Sequence, residues 1–169
     1  TVAGDVDVDG TTNLDVVDVD GAVNFAADVT YADGADIITA TAGTSNLRLG
    51  VNAGDAIASG GNYNVVVGDE AGTAITTGDE NTLIGYTAGD AIITGQYNVA
   101  VGKAALGATT ASGNTGVGTN ALQNNTTGDS NVAIGFAAMQ TNVDGDRSVA
   151  VGYNALFTQE PASNVDMYN

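Results

Sequence analysis

The stretch N-V-A-V-G-K-A-A-L, Asn98–Leu106, decides the architecture of this chain because it keeps returning. Its opening frame is Asn, apolar, variable, apolar, Gly. That frame ends at Gly50, Gly68, Gly85, Gly102, Gly118, Gly135 and Gly152, with Ser148 replacing Asn in the last. Successive anchors are 18, 17, 17, 16, 17 and 17 residues apart. A fixed period of this length without helical periodicity is the signature of a solenoid in which one repeat is one coil. The expected fold is therefore all-β: a parallel β-roll or β-solenoid of about 17-residue coils.

Within each coil the residue before Gly is aliphatic: Leu49, Val67, Ile84, Val101, Val117, Ile134 and Val151. Two positions earlier stand Leu47, Val65, Thr82, Val99, Thr115, Val132 and Val149. Alternation at period two with β-branched residues predicts a short strand with these two columns on one face. The third residue after each Gly is always alanine, including Ala71, Ala88, Ala105 and Ala138, which implies room for one methyl group. The glycines Gly68, Gly85, Gly102 and Gly135 anchor the coils. The column Asn46, Asn64, Asn81, Asn98, Asn114 and Asn131 is expected to form a ladder of stacked amides.

A compensation supports one shared core. In the first three coils Gly54, Gly72 and Gly89 are followed three residues later by Ile57, Ile75 and Ile92. In the last four, Leu106, Leu122, Met139 and Leu156 take the first position, and Thr109, Asn125, Asn142 and Gln159 the second. Each coil thus supplies one large aliphatic from either of two places. Gly61, Gly78, Gly95, Gly128 and Gly145 close most coils, where a positive φ at a corner is expected.

The middle strand residue is Arg48, Val66, Leu83, Ala100, Gly116, Ala133 or Ala150, nearly all small or apolar. A strand apolar on both faces is usually covered on both. Val66, Leu83, Ala100, Gly116, Ala133 and Ala150 are accordingly expected to lie outward and form the interface of a self-associating, threefold assembly.

Composition removes several functions. There are no His and no Cys among the 169 residues, so a Ser-His-Asp triad, a cysteine nucleophile and a thiolate metal site are excluded. Three Lys and Arg against twenty Asp and Glu give a net charge of −17, which disfavours nucleic acid and anionic membranes. No apolar run approaches the roughly 20 residues of a membrane-spanning helix. The acidic pairs Asp69-Glu70 and Asp79-Glu80 are adjacent, so along a strand they would diverge rather than converge for catalysis. No enzyme activity and no cofactor are expected.

Residues 1–40 differ from the rest. They carry nine Asp and no Lys or Arg, with Asp and Val alternating, and read as an acidic β-rich shaft-like segment. Asp5, Asp7, Asp9 and Gly10 match the opening of a calcium loop, but Val16 stands where its bidentate Glu belongs. These three aspartates are the candidate calcium ligands. Residues 41–157 form the rod, and 158–169, with the single proline Pro161, form an exit segment toward a following or missing domain.

N-V-A-V-G-K-A-A-L, N-V-A-I-G-F-A-A-M and S-V-A-V-G-Y-N-A-L resemble the head repeats of YadA-like trimeric autotransporter adhesins. They are still more similar to related repeats of phage tail fibres. The resemblance covers roughly residues 46–157. It implies a left-handed β-roll, three chains about one axis, and surface attachment outside a cell or virion. The 17-residue coils are longer than the usual adhesin-head repeat. Residues 1–40 resemble tail-fibre shafts only weakly. Short windows such as V-G-K-A-A-L also resemble left-handed β-helix acyltransferases, whose catalytic His is missing here.

The function this implies is a structural attachment fibre, a homotrimeric rod that presents or spaces a host-surface binding region. Its partner would be a cell-surface glycan or protein, and Tyr63, Tyr86, Tyr97, Phe136 and Tyr153 are the candidate contacts. The alternative is an architectural extracellular filament without its own receptor. An ice-binding array is disfavoured, because Ser59 and Asp144 interrupt the column of Thr77, Thr94 and Thr127.

Overall fold

The computed structural model describes residues 43–158. Every described residue belongs to the unit Ile37–Asn169. The acidic segment 1–40, with Asp5, Asp7 and Asp9, lies outside the described residues, as does the exit segment after Thr158.

Seven three-residue strands follow one another in chain order: β1 (Leu47–Leu49), β2 (Val65–Val67), β3 (Thr82–Ile84), β4 (Val99–Val101), β5 (Thr115–Val117), β6 (Val132–Ile134) and β7 (Val149–Val151). Each pairs in parallel with the next, in the order β1 to β7 of a single sheet. The register joins equivalent positions, Val66 to Leu83, Leu83 to Ala100 and Ala100 to Gly116. The described residues therefore form a β-solenoid of about 17-residue coils, as the repeat predicts. At ~4.8 Å per rung the seven strands span about 30 Å along the axis.

Each asparagine of the ladder clasps two neighbouring coils. Asn81 Oδ1 accepts the Asn98 backbone N–H at 3.0 Å, and Asn81 Nδ2 donates to the Gly95 carbonyl at 2.9 Å. The same pair of bonds recurs from Asn64, Asn98, Asn114 and Asn131. All of these side chains are buried, so each amide satisfies two backbone groups that would otherwise be stranded without water. A second ladder, two residues earlier, runs the opposite way. There Asn62 N donates to Asp79 Oδ1 at 2.7 Å and Ser112 N to Asp129 Oδ1 at 2.8 Å, so side chains accept from the preceding coil.

Seventeen described non-glycine residues adopt left-handed φ, in three columns per coil. Such conformers cost of order 1 kcal/mol each in isolation. Here the rung-to-rung bonds hold them: Tyr97 N donates to Asp79 O, Thr87 N to Asp69 O and Leu106 N to Ala121 O. The corner glycines expected to be left-handed are not: Gly61, Gly78, Gly95 and Gly128 lack positive φ. Their requirement is close approach, since a Cβ on Gly78 would lie 2.5 Å from the Gly95 carbonyl oxygen. The strand-end glycines need both properties. Gly102 has φ +130, and a Cβ there would meet the Gly118 carbonyl carbon at 2.7 Å.

The core inverts one expectation. Val66, Leu83, Ala100, Gly116, Ala133 and Ala150, expected on the outer interface, are enclosed within their own coil. They are small or large for an internal reason. Val66 and Leu83 belong to coils with glycine at the opposite wall, whereas Ala100, Gly116, Ala133 and Ala150 belong to coils with Leu106, Leu122, Met139 and Leu156 there. A Cβ on Gly116 would already come within 3.3 Å of Leu106 Cγ. The two-place exchange seen in the sequence is thus a three-place exchange of volume, with Ile75 and Ile92 giving way to Thr109, Asn125 and Asn142.

Candidate functional site: an apolar sheet face

Because the middle residue of each strand points inward, the two flanking columns point out. Leu47, Val65, Thr82, Val99, Thr115 and Val132 form one half-buried column, ending in the exposed Val149. Leu49, Val67, Ile84, Val101, Val117, Ile134 and Val151 form the other, and its two ends are the most open: Leu49 is 50% exposed and Val151 67%. The side chains expected in the core are therefore the outer surface of the sheet.

Aromatic rings border this face on both sides. Tyr63 and Tyr97 stand just before the asparagine ladder, and Tyr86, Phe136 and Tyr153 just after the strand-end glycines. All five are exposed, as surface contacts would require. Phe136 and Tyr153 occupy the same position in successive coils and stack, with centroids 5.4 Å apart and planes within 11°. Such a pair contributes about 0.5–1.5 kcal/mol beyond its area. Eleven of the fifteen exposed large apolar side chains among the described residues lie on this face or its two borders. Across its three-residue strands the face measures about 30 Å by roughly 10 Å from strand spacing and rise, on the order of 300 Å² before the aromatic borders are added. With its exposed aromatic borders this falls within the range of the largest patches on monomers, which are often functional.

The polar surface is organised by the ladders rather than by a catalytic cluster. Asp69 Oδ1 accepts the Val51 N–H at 3.0 Å and Asp79 Oδ1 accepts from Asn62, so the members of the two acidic pairs serve neighbouring coils. Among the described residues no group of three or more acidic side chains is placed to hold a metal ion. Nor is any helix among them long and apolar enough to cross a membrane. Arg48, the one charged residue at a middle strand position, folds inward and donates from Nε to the Ala53 carbonyl. In the other coils that carbonyl accepts an N–H of the preceding coil, as Ala71 O does from Gly54 N at 2.9 Å.

The sequence expectation had the correct columns but the wrong side. Its signal for the exposed face was the β-branched uniformity of Val65, Val67, Val99 and Val101, which reads equally as core. Compared with known proteins, the chain matches no family model, no curated protein and no solved structure.

Proposed function

We propose that the chain is a structural attachment fibre: a homotrimeric β-rod of a phage tail fibre or similar extracellular appendage that presents or spaces a host-surface binding region. The observation that carries this reading is the apolar outer face of the sheet, seven rungs long and bordered by tyrosines. Its interface residues are then Val65, Val67, Val99, Val101, Val132 and Ile134 rather than the enclosed middle column.

A second copy of the chain suits this face because it has the same axial repeat. Side-chain ridges spaced by one rung stay in register with an identical set along the whole rod, which a partner of different period fails to do. A stack of similar coils also supplies reach and stiffness without a deep catalytic cleft. The charge of −17 keeps the remaining surface from associating indiscriminately.

The test is native mass by light scattering together with adsorption to candidate host cells. A mass three times 16.6 kDa supports the trimer, and cell adsorption supports attachment. A trimer that adsorbs to nothing favours the architectural filament, and a stable monomer at all concentrations overturns the assembly.

A further inference from the structure

Gly107 is a glycine that the fold does not require. It lacks a positive φ, and a Cβ there would stand 3.3 Å from the Ala104 carbonyl oxygen, 3.6 Å from Asp90 Oδ1 and 3.7 Å from Gln123 Cγ. A side chain there needs the Ala104 carbonyl to give by a few tenths of an ångström, far less than at Gly78 or Gly102. Equivalent positions in neighbouring coils are filled by Asp90 before it and by Gln123 and Gln140 after it. What the missing side chain does is open a notch of about 250 Å³ across three coils. Thr87 and Asp90 form one wall, Gln123 and Asn124 the other, and Ala104 and Gly107 the floor.

The groups around it are arranged to exchange hydrogen bonds with hydroxyls. The half-buried Asp90 carboxylate lies near its own backbone N–H and that of Ala91, both of which favour its charged form. Gln123, on the lining of the notch, accepts at Oε1 from Gln140 Nε2 at 2.7 Å, which leaves its Nε2 as a donor. The Thr87 hydroxyl donates to the Tyr86 carbonyl at 2.8 Å and keeps its lone pairs as acceptors, while Asn124 adds an exposed amide. No Lys or Arg lines the notch, and Glu70 is near enough to act on Asp90, so an anion is disfavoured.

We propose that this notch is a binding site for a neutral polyhydroxylated ligand the size of one sugar ring. Acceptor and donor groups on facing walls match vicinal hydroxyls, each of which both donates and accepts. The small floor admits the C–H face of a ring. The volume falls below the ~300 Å³ at which pockets for drug-sized ligands begin, which suits one ring and not an extended ligand. The site lies within one chain and depends on neither the trimer nor the attachment role.

Saturation-transfer NMR on the full chain tests it, with glucose, galactose, mannose, N-acetylglucosamine and rhamnose offered separately and calcium chloride as a further arm. At least one sugar is expected to bind at about millimolar Kd. Gly107→Gln, which continues the Gln123–Gln140 column into the notch, is expected to weaken that sugar about tenfold or more, with Asp90→Asn weakening it less. The melting temperature of Gly107→Gln should stay close to that of the parent. Should that variant unfold early, Gln123→Ala is read in its place. Calcium binding alone, or no sugar signal sensitive to these substitutions, overturns the proposal.

Discussion

Leu83 occupies the room that a side chain on Gly89 would need: a Cβ on Gly89 would lie 2.7 Å from Leu83 Cδ2 and 2.9 Å from Ile92 Cδ1. One coil later the same three places hold Ala100, Leu106 and Thr109, all buried. Volume has moved from two positions to the third. Leu83→Ala alone should therefore cost about 2–5 kcal/mol as a cavity. Gly89→Leu alone should cost about 1–3 kcal/mol by overpacking. The triple variant Leu83→Ala, Gly89→Leu, Ile92→Thr copies the next coil, and chemical denaturation should show it recovering most of the loss. Strict additivity of the three changes would disprove the exchange.

The ladder makes a sharper distinction between two near-isosteric substitutions. Asn98 Oδ1 accepts the Asn114 N–H at 2.9 Å, while Asn98 Nδ2 donates to the Ala111 carbonyl at 2.9 Å. Asn98→Ala strands both groups, at about 1–3 kcal/mol each. Asn98→Asp keeps the first bond but sets a buried carboxylate oxygen against a carbonyl, so it should be at least as damaging at neutral pH. Lowering the pH to protonate the new carboxyl should recover stability in Asn98→Asp and not in Asn98→Ala, as thermal melts would show.

The coil length, the strands and the ladder were legible because each rests on identity repeated at one spacing, as in Asn64, Asn81 and Asn98. The side of the sheet was not. Val65-Val66-Val67 and Val99-Ala100-Val101 are apolar on both faces, so period two identifies the faces without saying which is inside. Arg48, the charged exception in the middle column, turns inward toward the Ala53 carbonyl, which its place in the first described coil leaves open. The small middle residues looked like room for another chain. They are room for Leu106, Leu122 and Met139 of the same chain, a contact that crosses the coil and leaves no periodic trace along the strand. The Gly107 notch was hidden for a different reason: among 24 glycines, one without a conformational role looks like the others until its neighbours are placed.

This inversion gives a direct test of the interface. Val99→Lys and Val101→Lys place charges on the outer face of a coil that remains closed, so each should melt within a few degrees of the parent. Ala100→Lys forces an ammonium group into the enclosed core and should unfold the rod, since an unpaired buried charge costs several kcal/mol. Sedimentation should show the two valine variants as folded monomers. Assembly unchanged in both would remove the sheet face as the contact between copies.

Asp90 should leave its mark on the pH dependence of stability. Burial raises its carboxyl above the ordinary 3.8, with its own N–H and that of Ala91 opposing and Glu70 adding to the rise. A raised folded value means that the protonated form favours the fold. That contribution is complete below about 3.8 and is lost as the pH climbs through the higher folded value. Asp90→Asn is neutral at every pH and nearly isosteric, so it should be more stable than the parent at pH 7. Below 3.8 the two should converge, because the parent carboxyl is then neutral as well. Melting curves at both pH values decide it. A gain of equal size at both would assign the effect to packing, and a loss at pH 7 would mean that the carboxylate makes a stabilising contact in the folded chain.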